Sequence, residues 1–175
     1  HGILAFIFIF LHIATLRWRW DLFGWYTPFF SKGITDTGTV VDLAHYSTSV
    51  ALSYIPVLIL YIIGVMSAVY HWSNGLWTAA ITWGATISVS AQKRWGLVCA
   101  GMFVTLTLFT AGAIVGAISY LDKAPEAEKQ AYVHMAQMKK EGKLDFHTME
   151  SIFLAPTGST RQLGHAQDDT VPHTH

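Results

Sequence analysis

The chain has 175 residues, 52% hydrophobic and 13% charged, with a formal net charge of zero. Soluble domains carry about 25% charged residues, yet no Asp, Glu, Lys or Arg occurs here from Leu43 to Gln92 or from Trp95 to Leu121. Those deserts exclude an ordinary globular enzyme, the neutral balance offers nothing to nucleic acid, and the single Cys99 excludes an intrachain disulfide framework or a cysteine-built zinc site.

A helix needs about 20 apolar residues to cross a hydrocarbon core about 30 Å thick. Three stretches meet that need to different degrees, and they predict spans over about 2–20, 51–84 and 95–121. The first, GILAFIFIFLHIATL, is short and ends in Arg17-Trp18-Arg19-Trp20, a belt of aromatics and cations suited to a membrane interface. It opens without an initiator Met or the basic leader of a signal peptide, so the chain reads as a fragment with its upstream part missing. Asp21–Val50, rich in Trp, Tyr, Phe, Thr and Gly, reads as an interfacial loop in which Thr39 or Asp42 opens a short helix. The second span is most apolar over Ile55–Val69, and its Pro56 falls early, where a missing N–H does least harm. Lys93-Arg94 precede the third span, which holds Gly112 and Gly116 in a GxxxG spacing that permits close helix contact.

Residues 122–175 are different material, holding 14 of the 22 charged side chains. Asp122, Pro125, Glu126 and Glu128 suit a helix start, Lys139 and Lys140 its end, and Gly142 its stop. The pattern predicts a solvated helix over 125–141 and a disordered remainder from Ala155, whose His165, His173 and His175 read as solvated. The predicted organisation is therefore an all-α transmembrane helical bundle over 1–121 with three spanning helices, followed by a soluble, partly disordered tail over 122–175 with one helix.

An ionisable residue inside a span is a functional candidate, and there are two: His12 in FIFIFLHIATL and His71 in GVMSAVYHWSNGLW. Neutral imidazole offers one lone pair to a metal, while its other N–H needs a partner. Around His71 the helical neighbours are Ser67, Ala68, Asn74 and Gly75, with Gly64 and Thr78 one turn further. That small-residue face suits a flat ligand, or equally another helix, and Ser73 and Asn74 offer hydrogen bonds to haem propionates or a quinone. The face of His12 is bulkier, with Ala5, Phe8, Ile9, Thr15 and Leu16. His12 lies about 7–8 Å from the Arg17 end of its helix, and His71 about 20 Å from Gly84 and about 30 Å from Ala51. Because consecutive spans run antiparallel, the two histidines fall at different depths and do not share one iron. Two haems, each needing one more histidine, fit better. His1 and His45 read as interfacial and not as ligands.

At this point IIGVMSAVYHWSNGLWTAAITWGATISVSAQKRW closely resembles the fourth-helix region of the single-chain dihaem cytochrome b subunit of succinate dehydrogenase (complex II), with H-x-S-N-G-L-W followed by T-W-G as its most specific part. HGILAFIFIFLHIATLR is similar to that family's third helix, and Trp95–Leu121 to its fifth. The resemblance covers about 1–121 and none of the tail. It implies the last three of five helices holding two b haems, with His71 an axial ligand of the proximal haem and His12 of the distal haem. The partner ligands belong to the first and second family helices, which this chain lacks. It further implies a flavoprotein subunit, an iron–sulfur subunit, a membrane quinone such as menaquinone, and a multi-pass place in the inner (cytoplasmic) membrane, with the 85–95 loop on the cytoplasmic side. Two alternatives stay open: a fumarate reductase cytochrome b on the same scaffold, and a haem-free structural anchor in which both histidines only make hydrogen bonds.

Overall fold

The structure, a computed structural model, describes residues 1–16 and 28–158. The Arg17–Trp20 belt, the start of the loop and the histidines of the far tail lie outside the described residues. The described chain forms, in order, α1 (Gly2–Leu16), β1 (Lys32–Ile34), β2 (Val40–Asp42), α2 (Ala44–Ser53), α3 (Ile55–Thr82), α4 (Val89–Lys123), α5 (Glu126–Lys140) and α6 (Phe146–Leu154). The chain is mostly helical, in keeping with the all-α expectation; the one short hairpin is the exception. It divides into two compact units, one made of 1–29 and 48–123, the other of 30–47 and 124–175.

In the first unit α3 packs against both α1 and α4. Helices α3 and α4 are each long and apolar enough to cross a membrane. At 28 and 35 residues they run about 42 and 52 Å. Only 17% of the most apolar stretch of α3 and 6% of that of α4 is buried, whereas the core helix of a soluble protein would be mostly covered. Helix α1 is equally apolar but has 15 residues, about 22 Å, short of a full crossing.

The second predicted span, read as one helix from about 51 to 84, is broken near its start. The chain interrupts at Tyr54, the extended N-cap of α3 at φ −81° and ψ 112°, and Pro56 stands in the first turn of α3, where its missing N–H has no helical partner to lose. The residues before it form the separate helix α2, not part of the span. At the far end Gly84 takes φ +73°, a left-handed stop that only glycine adopts freely, and the Thr86 amide donates back to the Ala80 carbonyl at 3.1 Å. Ser88 Oγ then accepts from the Ala91 amide at 3.2 Å and opens α4. The helix therefore begins at Val89, ahead of Lys93-Arg94. Trp95 Nε1 donates to the Leu76 carbonyl at 3.2 Å and Trp77 Nε1 to the Gln92 carbonyl at 3.4 Å, so two indoles fasten α3 to α4 near the turn.

The second unit shows what the loop and tail become. Lys32–Ile34 pairs antiparallel with Val40–Asp42, with Gly33 opposite Val41. Between them the Gly38 amide donates to the Thr35 carbonyl at 3.0 Å, and Gly38 sits at φ +82°. That is a turn followed by a left-handed glycine, a common short hairpin connection. Helix α5 packs on both strands and α6 on β1. The core is Phe30, Leu43, Tyr132, Met135 and Ile152, all buried. Ser47 Oγ both donates to the Phe30 carbonyl (2.9 Å) and accepts from its amide (3.1 Å), so this buried hydroxyl is fully used. Lys32 Nζ donates to the Ala155 carbonyl at the C-terminus of α6, 2.8 Å away, where a cation suits the helix dipole. The sequence predicts one tail helix; the described residues of the tail form two. Helix α6 starts because Asp145 Oδ1 accepts from the Thr148 amide at 2.6 Å.

Candidate functional site

Both intramembrane histidines lie in the helical unit, on the paired helices α1 and α3, and they are kept apart. His12 is partly buried, and its Nδ1 is hydrogen-bonded to the Tyr61 hydroxyl of α3. Phe8, one turn back on α1, stacks on the imidazole with ring centroids 5.7 Å apart and planes 30° apart. Tyr61 meets Phe8 edge-on at 5.2 Å and the imidazole at 5.6 Å. Three rings thus close around His12.

His71 is exposed. Its ring lies 5.7 Å from that of His1, and a Cβ placed on Gly2 would come within 3.4 Å of the imidazole. His71 therefore sits beside the start of α1 while His12 sits ten residues along it, an offset of about 15 Å. Tyr61 and His71 are separated by the same interval on α3. Each step up one helix is matched by a step down the other, as an antiparallel pair requires. The expectation of two different depths agrees with this geometry within the chain.

The small-residue face predicted around His71 divides in two. A Cβ at Gly64 would collide with the Phe8 ring, so this glycine serves the contact between α1 and α3. Gly75 has nothing within 4 Å of such a Cβ, and His71 and Thr78 beside it are exposed. Thr78 turns its hydroxyl back to the Asn74 and Gly75 carbonyls, 3.1 and 3.0 Å away. Residues two apart on a helix point about 200° apart. Ser73 accordingly faces inward, 5% exposed, and its buried hydroxyl has no hydrogen-bond partner among the described residues. Asn74 lies on the His71 side and is half-buried.

Next to His12 a cleft of about 230 Å³ runs between α1 and α3 with α2 at one end, walled by residues such as Leu4, Leu11, Leu60 and Ile63, with Thr15, Thr48 and Tyr61 its polar contributions besides His12. Among the described residues no three His, Cys, Asp or Glu side chains gather into a metal site. Sequence reading missed Tyr61 as the partner of His12, because a tyrosine among apolar residues carries no local sign of its contact across 49 positions. It also set aside His1, whose ring lies against His71.

No protein-family model matches the chain, and no solved structure matches it. One curated relative does: the succinate dehydrogenase cytochrome b558 subunit of Bacillus subtilis (strain 168) is 43% identical over 56 residues, which is 32% of this chain and 25% of that protein. The matched stretch spans a quarter of the relative's length. Over that stretch the chain is similar to a succinate dehydrogenase cytochrome b subunit.

Proposed function

We propose that this segment is part of the haem-carrying membrane anchor of a succinate dehydrogenase, in which His71 supplies one axial ligand to a proximal b haem and His12 one to a distal b haem. The observation that carries the reading is the placement of the two intramembrane imidazoles on facing helices, about 15 Å apart along the helix axis. A single iron cannot be reached by both, whereas two groups stacked through the membrane each reach one.

The residues present fit such groups. His71 stands on an exposed face where Gly75 leaves the helix surface open, so a flat ring can approach the backbone. Asn74 adds an amide on the His71 side and is the candidate for a propionate contact there, while Ser73, on the opposite, inward side of α3, keeps a buried hydroxyl without a partner among the described residues and is a candidate for a propionate or quinone contact away from the His71 face. His12 borders an apolar cleft, and a low-dielectric setting keeps a neutral imidazole available as a ligand. A bound b haem supplies one-electron transfer, and the protein sets its potential through ligand, burial and hydrogen bonding. The chain's own work is to hold two imidazoles at fixed depths and exclude water around them.

With both haems held this way, the anchor passes electrons between an iron–sulfur subunit, itself served by a succinate-oxidising flavoprotein subunit, and a membrane quinone such as menaquinone. Its place is then a multi-pass one in the inner (cytoplasmic) membrane. Reduced-minus-oxidised spectra of the intact protein test the proposal. His71→Ala and His12→Ala are each expected to remove one of two b-type α-bands. Two haems surviving both substitutions would exclude this ligand assignment.

A further inference from the structure

We infer that Tyr61 is the positioning residue of His12: its phenol oxygen accepts the Nδ1–H of the imidazole, fixing the ring's rotation and reserving the Nε2 lone pair for a ligand. This rests on the reading of His12 as an axial ligand and adds to it the residue that selects the tautomer.

A neutral imidazole carries one N–H, and which nitrogen holds it depends on the partner of the other. The contact between Tyr61 and His12 is made at Nδ1. If Nε2 is to give its lone pair away, Nδ1 must keep the proton and needs an acceptor. Acceptors are scarce in this part of the bundle, because the backbone carbonyls of a membrane helix are spent within the helix. The nearby Thr15 hydroxyl is turned back to the Leu11 and His12 carbonyls of its own helix, at 2.8 and 3.2 Å. The Tyr61 oxygen is the side-chain acceptor placed at Nδ1.

The ring is also held from its other side. Phe8 stacks against it, and Phe8 fits there only because position 64 has no side chain. Gly64, Phe8 and Tyr61 therefore form a seat that fixes the plane of the imidazole, and the hydrogen bond fixes which edge points outward. A donor bond from Nδ1–H makes the imidazole a stronger electron donor, which favours the oxidised metal. Losing that bond raises the reduction potential.

The test is a redox titration of the intact protein in its membrane, carrying both haems, with Tyr61→Phe. The ring is kept and only the oxygen is lost. At a fixed ambient potential the reduced-to-oxidised ratio of one haem is expected to rise about tenfold, which for one electron is about 59 mV, while the other haem stays where it was. Gly64→Ala, which displaces Phe8 but leaves the phenol, is expected to alter the low-spin signal of the same haem. Unchanged potentials for both haems in Tyr61→Phe would overturn the inference while His12→Ala still removed a haem. If His12→Ala left both haems in place, the ligand assignment would fall and this inference with it.

Discussion

In the helical unit the buried positions of α1, α3 and α4 are Ala5, Ala14, Val57, Gly64, Ser73, Cys99 and Ala117, while Ile3, Phe6, Leu108 and Phe109 are more than 60% exposed. In the unit of 30–47 and 124–158 the buried apolar set is Phe30, Ile34, Val40, Leu43, Tyr132, Met135 and Ile152, with Ala124 and Ala131 its small members. Water drives large apolar side chains inward, at about 25 cal/mol per Å² removed from solvent. Lipid gives no such push, and helices there meet through small residues that let backbones approach. One chain shows both rules, and the difference identifies which unit has hydrocarbon as its solvent.

The comparison breaks most sharply on leucines. Leu43 is fully buried, so Leu43→Ala is expected to cost about 2–5 kcal/mol of local stability, read as lost amide protection in α5. Leu108, 66% exposed on α4, is the counterpart: Leu108→Ala should change stability by less than about 0.5 kcal/mol. Leu108→Arg separates the solvents, since an arginine near a bilayer centre costs about 2.5–3.5 kcal/mol and one on a water-facing surface costs little. Insertion measured on the intact protein with that substitution would contradict the membrane assignment of α4 if it were unimpaired.

Glycine gives a smaller contrast. A side chain at Gly33 would strike Leu43 and approach Met135 Cγ to 3.0 Å, and one at Gly64 would strike Phe8. Overpacking of this kind costs about 1–3 kcal/mol. Gly33→Val is expected to lower protection in the hairpin unit alone, and Gly64→Val to loosen α1 from α3 alone. Gly75→Ala, with open space around it, is the control and should do neither.

The smallest expected effect is a pH dependence confined to α6. The Asp145 carboxyl is held below the usual aspartate range, first by the Thr148 amide, then by the Thr148 hydroxyl. A depressed folded-state pKa adds stability that is present above the unfolded value and lost as pH falls through the folded one. Protection of the first turn of α6 should therefore decline on acidification, and Asp145→Ala should abolish that decline. A decline of equal size in the variant would assign the effect to another group.

Many of the helix ends were legible because their signals are local. Gly84 closed α3, and the helix predicted over 125–141 matches α5 to within a residue at each end, whereas the predicted start at 51 missed the break at Tyr54. Asp145 and Thr148 bracketed α6 in the sequence as well, but a polar average over the tail hid a nine-residue helix. The hairpin was harder. Its strands have three residues each, too short for alternation to register, although Asp36-Thr37-Gly38 carries a turn signal.

The candidate site was half legible. A histidine in an apolar run is visible one residue at a time, because burying a polar group in hydrocarbon needs a reason. Its partner is not visible that way. Tyr61 looks like an ordinary span tyrosine until the register of α1 against α3 sets it beside His12.

The sequence by itself determined which stretches partition into hydrocarbon, where most helices start and stop, and which two imidazoles lie within them. These are properties of short windows, fixed by transfer free energy and by backbone capping. Only the tertiary structure decided that Gly64 receives Phe8, that Tyr61 meets Nδ1 of His12, and that residues 30–47 share a core with 124–158. Those contacts join positions far apart in the chain, and their register is chosen by how side-chain shapes interlock, which no single window contains.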